Sequence, residues 1–555
     1  MENVIYNNDR LNVAIYLAQM AKERPYKKAV VCPSGKDTNG NTAYTHLTFR
    51  QLHRESDCLA HGLLACGIRR GTRTILMVKP SLEFFALTFA LFKVGAVPVV
   101  VDPGMGIKRM LNCLRESKPS ALIGIPPAHI LRTLYPKFFK TVKIAVTVGN
   151  KYFWSGMVFQ DIRRTPWKPF PIVDTRRNDI AAILFTTGST GPAKGVVYTH
   201  GVFDAQVRSI RDHFKIQPGE IDLPTFPLFA LFDPALGMTA VIPDMDPTRP
   251  ANVNPENIIE AVLRHGVTYM FASPALLNRV GRYGRDKHIK LPSLKRVISA
   301  GAPALPSILE CFSSLLNKDA EIFPSYGATE AMPVAAIGSH TVLSKTRQLS
   351  EKGFGICVGP IIETVKARII AISDDPILEW SDELALPKGE IGEIVVQGNL
   401  VTKSYFQRPA DDRLGKIKLC GMFLHRLGDL GWFDKEKRLW FCGRKSQRVT
   451  TAKETLFTIP CEAIFNNHPD VFRSALVGIG EAGQQKPVIC IELEKSGAPK
   501  SKKKIVEELS ALAKGNAMTA RIDTFLFHKS FPVDIRHNSK IFREKLAQYA
   551  KKKIR

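Results

Sequence analysis

Between Thr74 and Ile125, short apolar runs alternate with longer ones that carry helix punctuation. "TILMV" (Thr74–Val78) has strand length and strand composition. "SLEFFALTFALFKV" follows, with Ser81 in the N-cap position and Gly95 just beyond its end, which predicts a helix. "VPVVV" is a strand again, Ile107 to Glu116 a helix, and "ALIGI" a further strand. Upstream, Thr48 and Gln51 match a capping box ahead of an apolar helix running through Leu64. Strands and helices in this βαβα order build a largely parallel sheet with helices on its faces. The pattern resumes at "AAILF" and at "LKRVISAGAP", where a strand ends in a glycine-containing loop. Open sheets of this kind bind ligands in the crevice beyond their strand ends.

From about Gly389 the character changes. "GEIGEIVVQG" and "RLWFCGRKSQRV" read as short strands bounded by glycine and polar turns. After "GRKSQ" come a helix near Cys461–Asn467, strands "SALVGIG" and "PVICIELE", a lysine-rich loop, a helix over Lys504–Leu512 and a basic tail. The expected fold is α/β: a large N-terminal domain of mostly parallel sheets covered by helices, with a β-rich subdomain, then a small, mobile α+β C-terminal domain. The boundary is set at residues 1–446 and 447–555. A chain of 555 residues with 45% hydrophobic content is ample for two cores.

Lys and Arg total 78 against 51 acids, a formal charge of +27. No nucleic-acid motif accompanies that excess, so solvated surface lysines explain it better than a specific nucleic-acid partner. Peripheral contact with an anionic membrane stays open, as does the oligomeric state. The ten cysteines include no CxxC pair and sit singly in apolar runs, the pattern of buried reduced thiols in a cytoplasmic protein. "MENVIYNNDR" lacks the form of a signal peptide. The most apolar segment, Phe84–Val101, contains Lys93, Gly95 and Pro98 and reads as helix, stop and strand instead of a membrane span.

The chemistry concentrates in "FTTGSTGPAKGVVY" (Phe185–Tyr198), with three Gly, three Thr, one Ser and one Lys. Successive backbone N–H groups in a glycine-rich turn cradle phosphate oxygens, hydroxyls add donors, and a lysine adds charge. Thr186, Thr187, Gly188, Ser189, Thr190, Gly191 and Lys194 are therefore the candidate phosphate-binding residues. The string is not a Walker loop, because Lys194 precedes Gly195 and a strand-like run.

This loop resembles the phosphate loop of the adenylate-forming superfamily, which includes acyl-CoA synthetases, peptide-synthetase adenylation domains and luciferases. Further motifs follow in the family's order over nearly the whole chain. "SAGAP" resembles the segment against adenine, which implies Gly301, Ala302 and Pro303 there. "YGATE" resembles the segment whose Tyr stacks on adenine, whose Thr touches phosphate and whose Glu holds Mg²⁺. That implies Tyr326, Gly327 and Thr329 at the nucleotide and Glu330 at the metal. "HRLGDLGWFD" and "GRKSQ" carry Asp429 and Arg444 at the ribose-contact positions, and "FPVDIRHNSKIFREKL" carries Lys540 where the family has its mobile catalytic lysine. The implied cofactors are ATP and Mg²⁺. The implied reaction is attack of a carboxylate on the α-phosphorus with loss of pyrophosphate, aided by Lys540, Thr190 and Lys194.

Three positions depart from the CoA-ligase pattern. Gln447 replaces the hinge acid, Lys453 ends "TTAK" where that pattern has glycine, and Ala230 in "PLFALFDPALG" stands where many members have histidine. Together they weigh against thioester formation. The block Asp222–Ala251 with "GRKSQRV" resembles one branch, the olefin β-lactone synthetases of long-chain hydrocarbon synthesis. That implies a long-chain 3-hydroxy fatty acid, activated and then closed by its own hydroxyl onto the carbonyl, with partner enzymes of the same synthesis. Phe229, Phe232 and Ala230 are the expected acyl pocket. Asp233 either serves as base for the hydroxyl or is a helix N-cap beside Pro234. Within the superfamily the competing activities are a fatty acyl-CoA ligase and a peptide-synthetase-type adenylation enzyme.

Overall fold

The computed structural model describes residues 9–186, 192–494, 501–533 and 541–554. Two large sheets form the bulk. The first is seven-stranded, in the order Met157–Val158, Ile144–Thr147, Ala121–Gly124, Arg73–Met77, Val97–Val101, Ile180–Thr186, Lys194–Thr199. All its pairs are parallel except the last, which is the hairpin that frames the phosphate loop. The second is eight-stranded, parallel in its middle and antiparallel at both ends.

The local signals did their expected jobs. Thr48 accepts from Gln51 N while the Gln51 side chain accepts from Thr48 N, opening the helix Phe49–Ala65. Ser81 caps Leu82–Lys93, which is buried along most of its length and sits between the sheet and helix Phe49–Ala65. Its residue after the C-cap, Gly95, turns the chain at φ +67° into the strand Val97–Val101.

A six-stranded antiparallel sheet follows, containing the long strand Met422–Phe433 paired with Arg438–Arg444. Beyond it, Val471–Ile479, Lys486–Leu493 and Phe525–Phe527 form a three-stranded sheet with its own core around Phe465, Leu476, Ile489 and Leu509. The basic tail is not a loose extension: Arg543–Lys553 is a helix with Leu546 and Ala550 buried against Ala475 and Val477. An i,i+4 apolar pair docks it, and three lysines in its last turn suit the negative end of the helix dipole. Among the described residues no helix is long and apolar enough to cross a membrane.

Candidate active site

One cleft of about 2030 Å³ runs between these units. The hairpin from strand Glu321–Ala328 to strand Ala331–Ala336 brings Tyr326, Gly327, Thr329 and Glu330 to its wall. Gly327 is required by close approach, since a Cβ there would lie 2.8 Å from the Ala331 carbonyl oxygen. On the neighbouring sheet, strand register sets Asp429 directly opposite Arg444.

These two surfaces meet at Asp429. The Tyr326 hydroxyl donates to Asp429 Oδ2 at 2.7 Å, and Arg444 Nη1 lies 2.8 Å from Oδ1. Asp429 is buried, and its charge holds the Arg444 guanidinium above its ordinary range. Burial, then the Asp429 charge, pushes the Tyr326 phenol well up, so it stays a donor. Beside them the loop after strand Arg296–Ser299 turns at Gly301, φ +92°, and presents Gly301, Ala302 and Pro303 to the cleft.

A second cluster surrounds Glu330. Tyr405 donates its hydroxyl to Glu330 Oε1 at 2.7 Å. Its ring carries the Lys194 ammonium at 4.9 Å and the Lys416 ammonium at 5.6 Å. Lys194 also pairs with Asp411 at 2.7 Å. Burial works to raise the Glu330 carboxyl, but His425, the Tyr405 hydrogen bond and Lys416 together outweigh it and hold the group below the usual carboxylate range. Burial lowers Lys416 to about 8 and His425 to about 3. Tyr405, Lys416, His425 and Asp411 are site residues the sequence did not disclose. "TKSYFQRP" shows no spacing signal, and only folding brings it to Glu330.

The apolar arm of the cleft is built on Phe229, Phe232, Phe226 and Phe271. Phe229 stacks on Phe271 with centroids 3.9 Å apart and planes at 18°. One expected pocket residue, Ala230, and the candidate base, Asp233, are elsewhere. Ala230 is fully buried in the main hydrophobic core and does not line the cleft. Asp233 is 1% exposed, does not line the cleft, and caps nothing: it is the first residue of helix Asp233–Leu236, not its N-cap. It faces the equally buried Asp222, and burial pushes both carboxyls well above the usual range. The pair lies away from the cleft, so Asp233 is not positioned as a base for an acyl group there.

Thr187, Gly188, Ser189, Thr190, Gly191 and Lys540 lie outside the described residues, and of Thr186 only the backbone is described, opposite Lys194. On either side of the segment holding Lys540, Val533 and Ile541 pair with each other and line the cleft. Near the expected domain boundary, Gln447 Oε1 accepts from Arg543 Nη1 at 3.1 Å, while Arg543 also forks the Glu462 carboxylate at 2.6 Å. Lys453 sits exposed in a tight turn where Thr451 Oγ1 accepts from the Lys453 and Glu454 amides. Its φ is not left-handed, so its backbone conformation does not require glycine.

The model of the AMP-binding enzyme family matches residues 17–406. The olefin beta-lactone synthetase of Xanthomonas campestris pv. campestris is 48% identical over 546 residues, covering 97% of each chain. That of Stenotrophomonas maltophilia is 47% identical over 551 residues, covering 98% of each. Among solved structures, the amide bond synthetase McbA from Marinactinospora thermotolerans superposes with a TM-score of 0.78 at 21% identity, over 97% of this chain and 99% of that one, a likeness of fold. With these motifs along the cleft and these relatives, the chain belongs to the AMP-binding enzyme family, as an ATP-dependent adenylate-forming ligase akin to the olefin β-lactone synthetases.

Proposed function

We propose that the chain activates a long-chain 3-hydroxy fatty acid as its acyl-AMP and then closes the β-lactone. In the first step a carboxylate oxygen bonds to the α-phosphorus of ATP and pyrophosphate leaves. In the second the substrate's own hydroxyl oxygen bonds to the activated carbonyl, the C–O bond to AMP breaks, and the hydroxyl proton passes to solvent. The observation that carries this reading is one continuous cleft joining the Tyr326–Asp429–Arg444 cluster to the phenylalanine-lined arm. A buried carboxylate suits paired ribose hydroxyls, and an aromatic arm suits an alkyl chain at about 0.8 kcal/mol per buried CH₂.

The remaining roles belong to the same proposal. Lys194 meets the phosphates with the Thr186–Gly191 loop, and Gly301–Pro303 flanks the base. Lys540 supplies charge at the carboxylate and α-phosphate from a C-terminal domain that begins at residue 447. Glu330 fits Mg²⁺: it is kept ionised, one oxygen is tied to Tyr405, and it lines the cleft. Bound there, the ion would neutralise developing phosphate charge. An internal nucleophile needs no second substrate, since effective molarity replaces one. Lys453 at the turn where CoA ligases keep glycine supports that economy. Ten free cysteines, most of them buried, support a cytoplasmic setting.

The test is product mass after incubation with ATP, Mg²⁺ and a racemic long-chain 3-hydroxy acid, with and without CoA. The expected product is the acid minus one water, with AMP formed stoichiometrically and CoA without effect. AMP release that requires CoA, and proceeds equally with plain fatty acids, would make the chain an acyl-CoA ligase.

A further inference from the structure

The edge of the seven-stranded sheet opposite the Lys194–Thr199 strand carries an aromatic patch in a basic field. Met157–Val158 is the edge strand of the seven-stranded sheet, at the opposite end from Lys194–Thr199. The connection into it exposes Tyr152 and Phe153, at 61% and 75%. Both pack edge-on against the buried Trp154, at 5.5 and 5.3 Å. Trp154 in turn stacks on His129 of the helix Pro126–Leu134 at 5.4 Å, and Arg132 of that helix donates to the Ser155 carbonyl. The rigid Trp154 thus joins loop and helix, whose outer side adds exposed Ile130, Leu134 and Tyr135.

Charge is concentrated on the same stretch. From Pro126 to Phe170 there are eight Lys or Arg and one acid, Asp161. Lys137, Lys140, Lys143, Lys151, Arg164 and Lys168 are exposed, and among the described residues none of them makes an ion pair. Exposed aromatics interleaved with uncompensated lysines are the two signals that seat a protein on an anionic bilayer: rings partition at the headgroup level and cations meet lipid phosphate. The terminal helix Arg543–Lys553 supplies only one, because its apolar residues Leu546 and Ala550 are buried.

We propose that this face docks the enzyme on an anionic lipid surface, through Tyr152, Phe153 and Leu134 within the surrounding lysines. Charge complementarity selects lipid phosphate as the occupant. None of these residues lines the cleft, so a docked bilayer leaves the nucleotide side free. The proposal rests on the fold alone and stands or falls separately from the reaction assigned above.

The test is flotation of the full chain with vesicles of phosphatidylglycerol and phosphatidylcholine, against phosphatidylcholine alone. Binding to the anionic vesicles is expected to be at least tenfold tighter and to weaken as salt rises. Tyr152→Ser with Phe153→Ser, and separately Lys137→Glu with Lys140→Glu and Lys151→Glu, should each cut vesicle binding tenfold or more. Melting temperature and ATP binding should change little, because all five residues are exposed and none lines the cleft. Absence of flotation by the wild-type chain, or flotation that both variants retain, overturns the proposal. So does sedimentation showing a dimer that the aromatic variant dissociates, since the patch would then be covered by a second copy.

Discussion

Asp429 shows how a single residue depends on its neighbours. Its carboxylate is buried, with Arg444 at 2.8 Å on one oxygen and the Tyr326 hydroxyl donating at 2.7 Å to the other. Tyr326→Phe removes one charge-assisted hydrogen bond, worth about 1.5 kcal/mol. The expected outcome is a roughly tenfold rise in KM for ATP with kcat little altered, read by pyrophosphate release; an unchanged KM would mean that this bond does not orient the carboxylate for nucleotide. Asp233 makes the opposite case. It is paired with Asp222 away from the cleft, and burial raises its carboxyl, so Asp233→Asn should leave turnover within about twofold. A hundredfold loss of kcat with the protein still folded would reinstate it as a base.

At the scale of elements, the site is held by a few backbone approaches. Strand Arg438–Arg444 delivers Arg444 only because Gly443 adopts φ +123° and lies against Thr458, the first residue of helix Thr458–Asn466. A Cβ at Gly443 would fall 2.2 Å from Thr458 Oγ1. Gly443→Ala is therefore expected to displace that strand end from Asp429, lower the melting temperature by several degrees and raise KM for ATP. Calorimetry together with nucleotide titration checks both, and a variant that melts and binds like the parent would show that the strand end tolerates the shift. The Thr48–Gln51 capping box, the Gly95 stop and the βαβ alternation were legible from the sequence because each is written in residues a few positions apart. The terminal helix was not, since its lysines mask a two-residue apolar seam that has meaning only against Ala475 and Val477.

For the molecule as a whole, buried neutral histidines set the response to acid. Burial lowers His200 to about 4 and His425 to about 3, against 6.5 in the unfolded chain. Below pH 6.5 the unfolded state therefore binds protons that the folded state refuses, and stability falls as pH drops from about 6.5 toward 4. Glu330, held below the usual carboxylate range, adds to the loss at the acid end. Melting temperatures at pH 7.5, 6 and 5 should decline progressively, and His425→Gln should flatten part of that decline. A curve that is flat over this range would show that these rings do not stay neutral in the fold.

What the sequence alone determined was the family, the order of the elements and the chemistry. Those reside in short strings: hydroxyl and glycine spacing before Lys194, the acid ending "YGATE", apolar runs of strand length. What only the tertiary structure decided was which of those residues meet. Tyr326 and Asp429 are 103 positions apart and touch through the register of two sheets, Tyr405 reaches Glu330 across 75, and Asp233 turns from the acyl arm toward Asp222. The physical reason is that a local string sets φ, ψ and periodicity, whereas the face on which a side chain emerges, and the partner awaiting it, depend on how distant strands align.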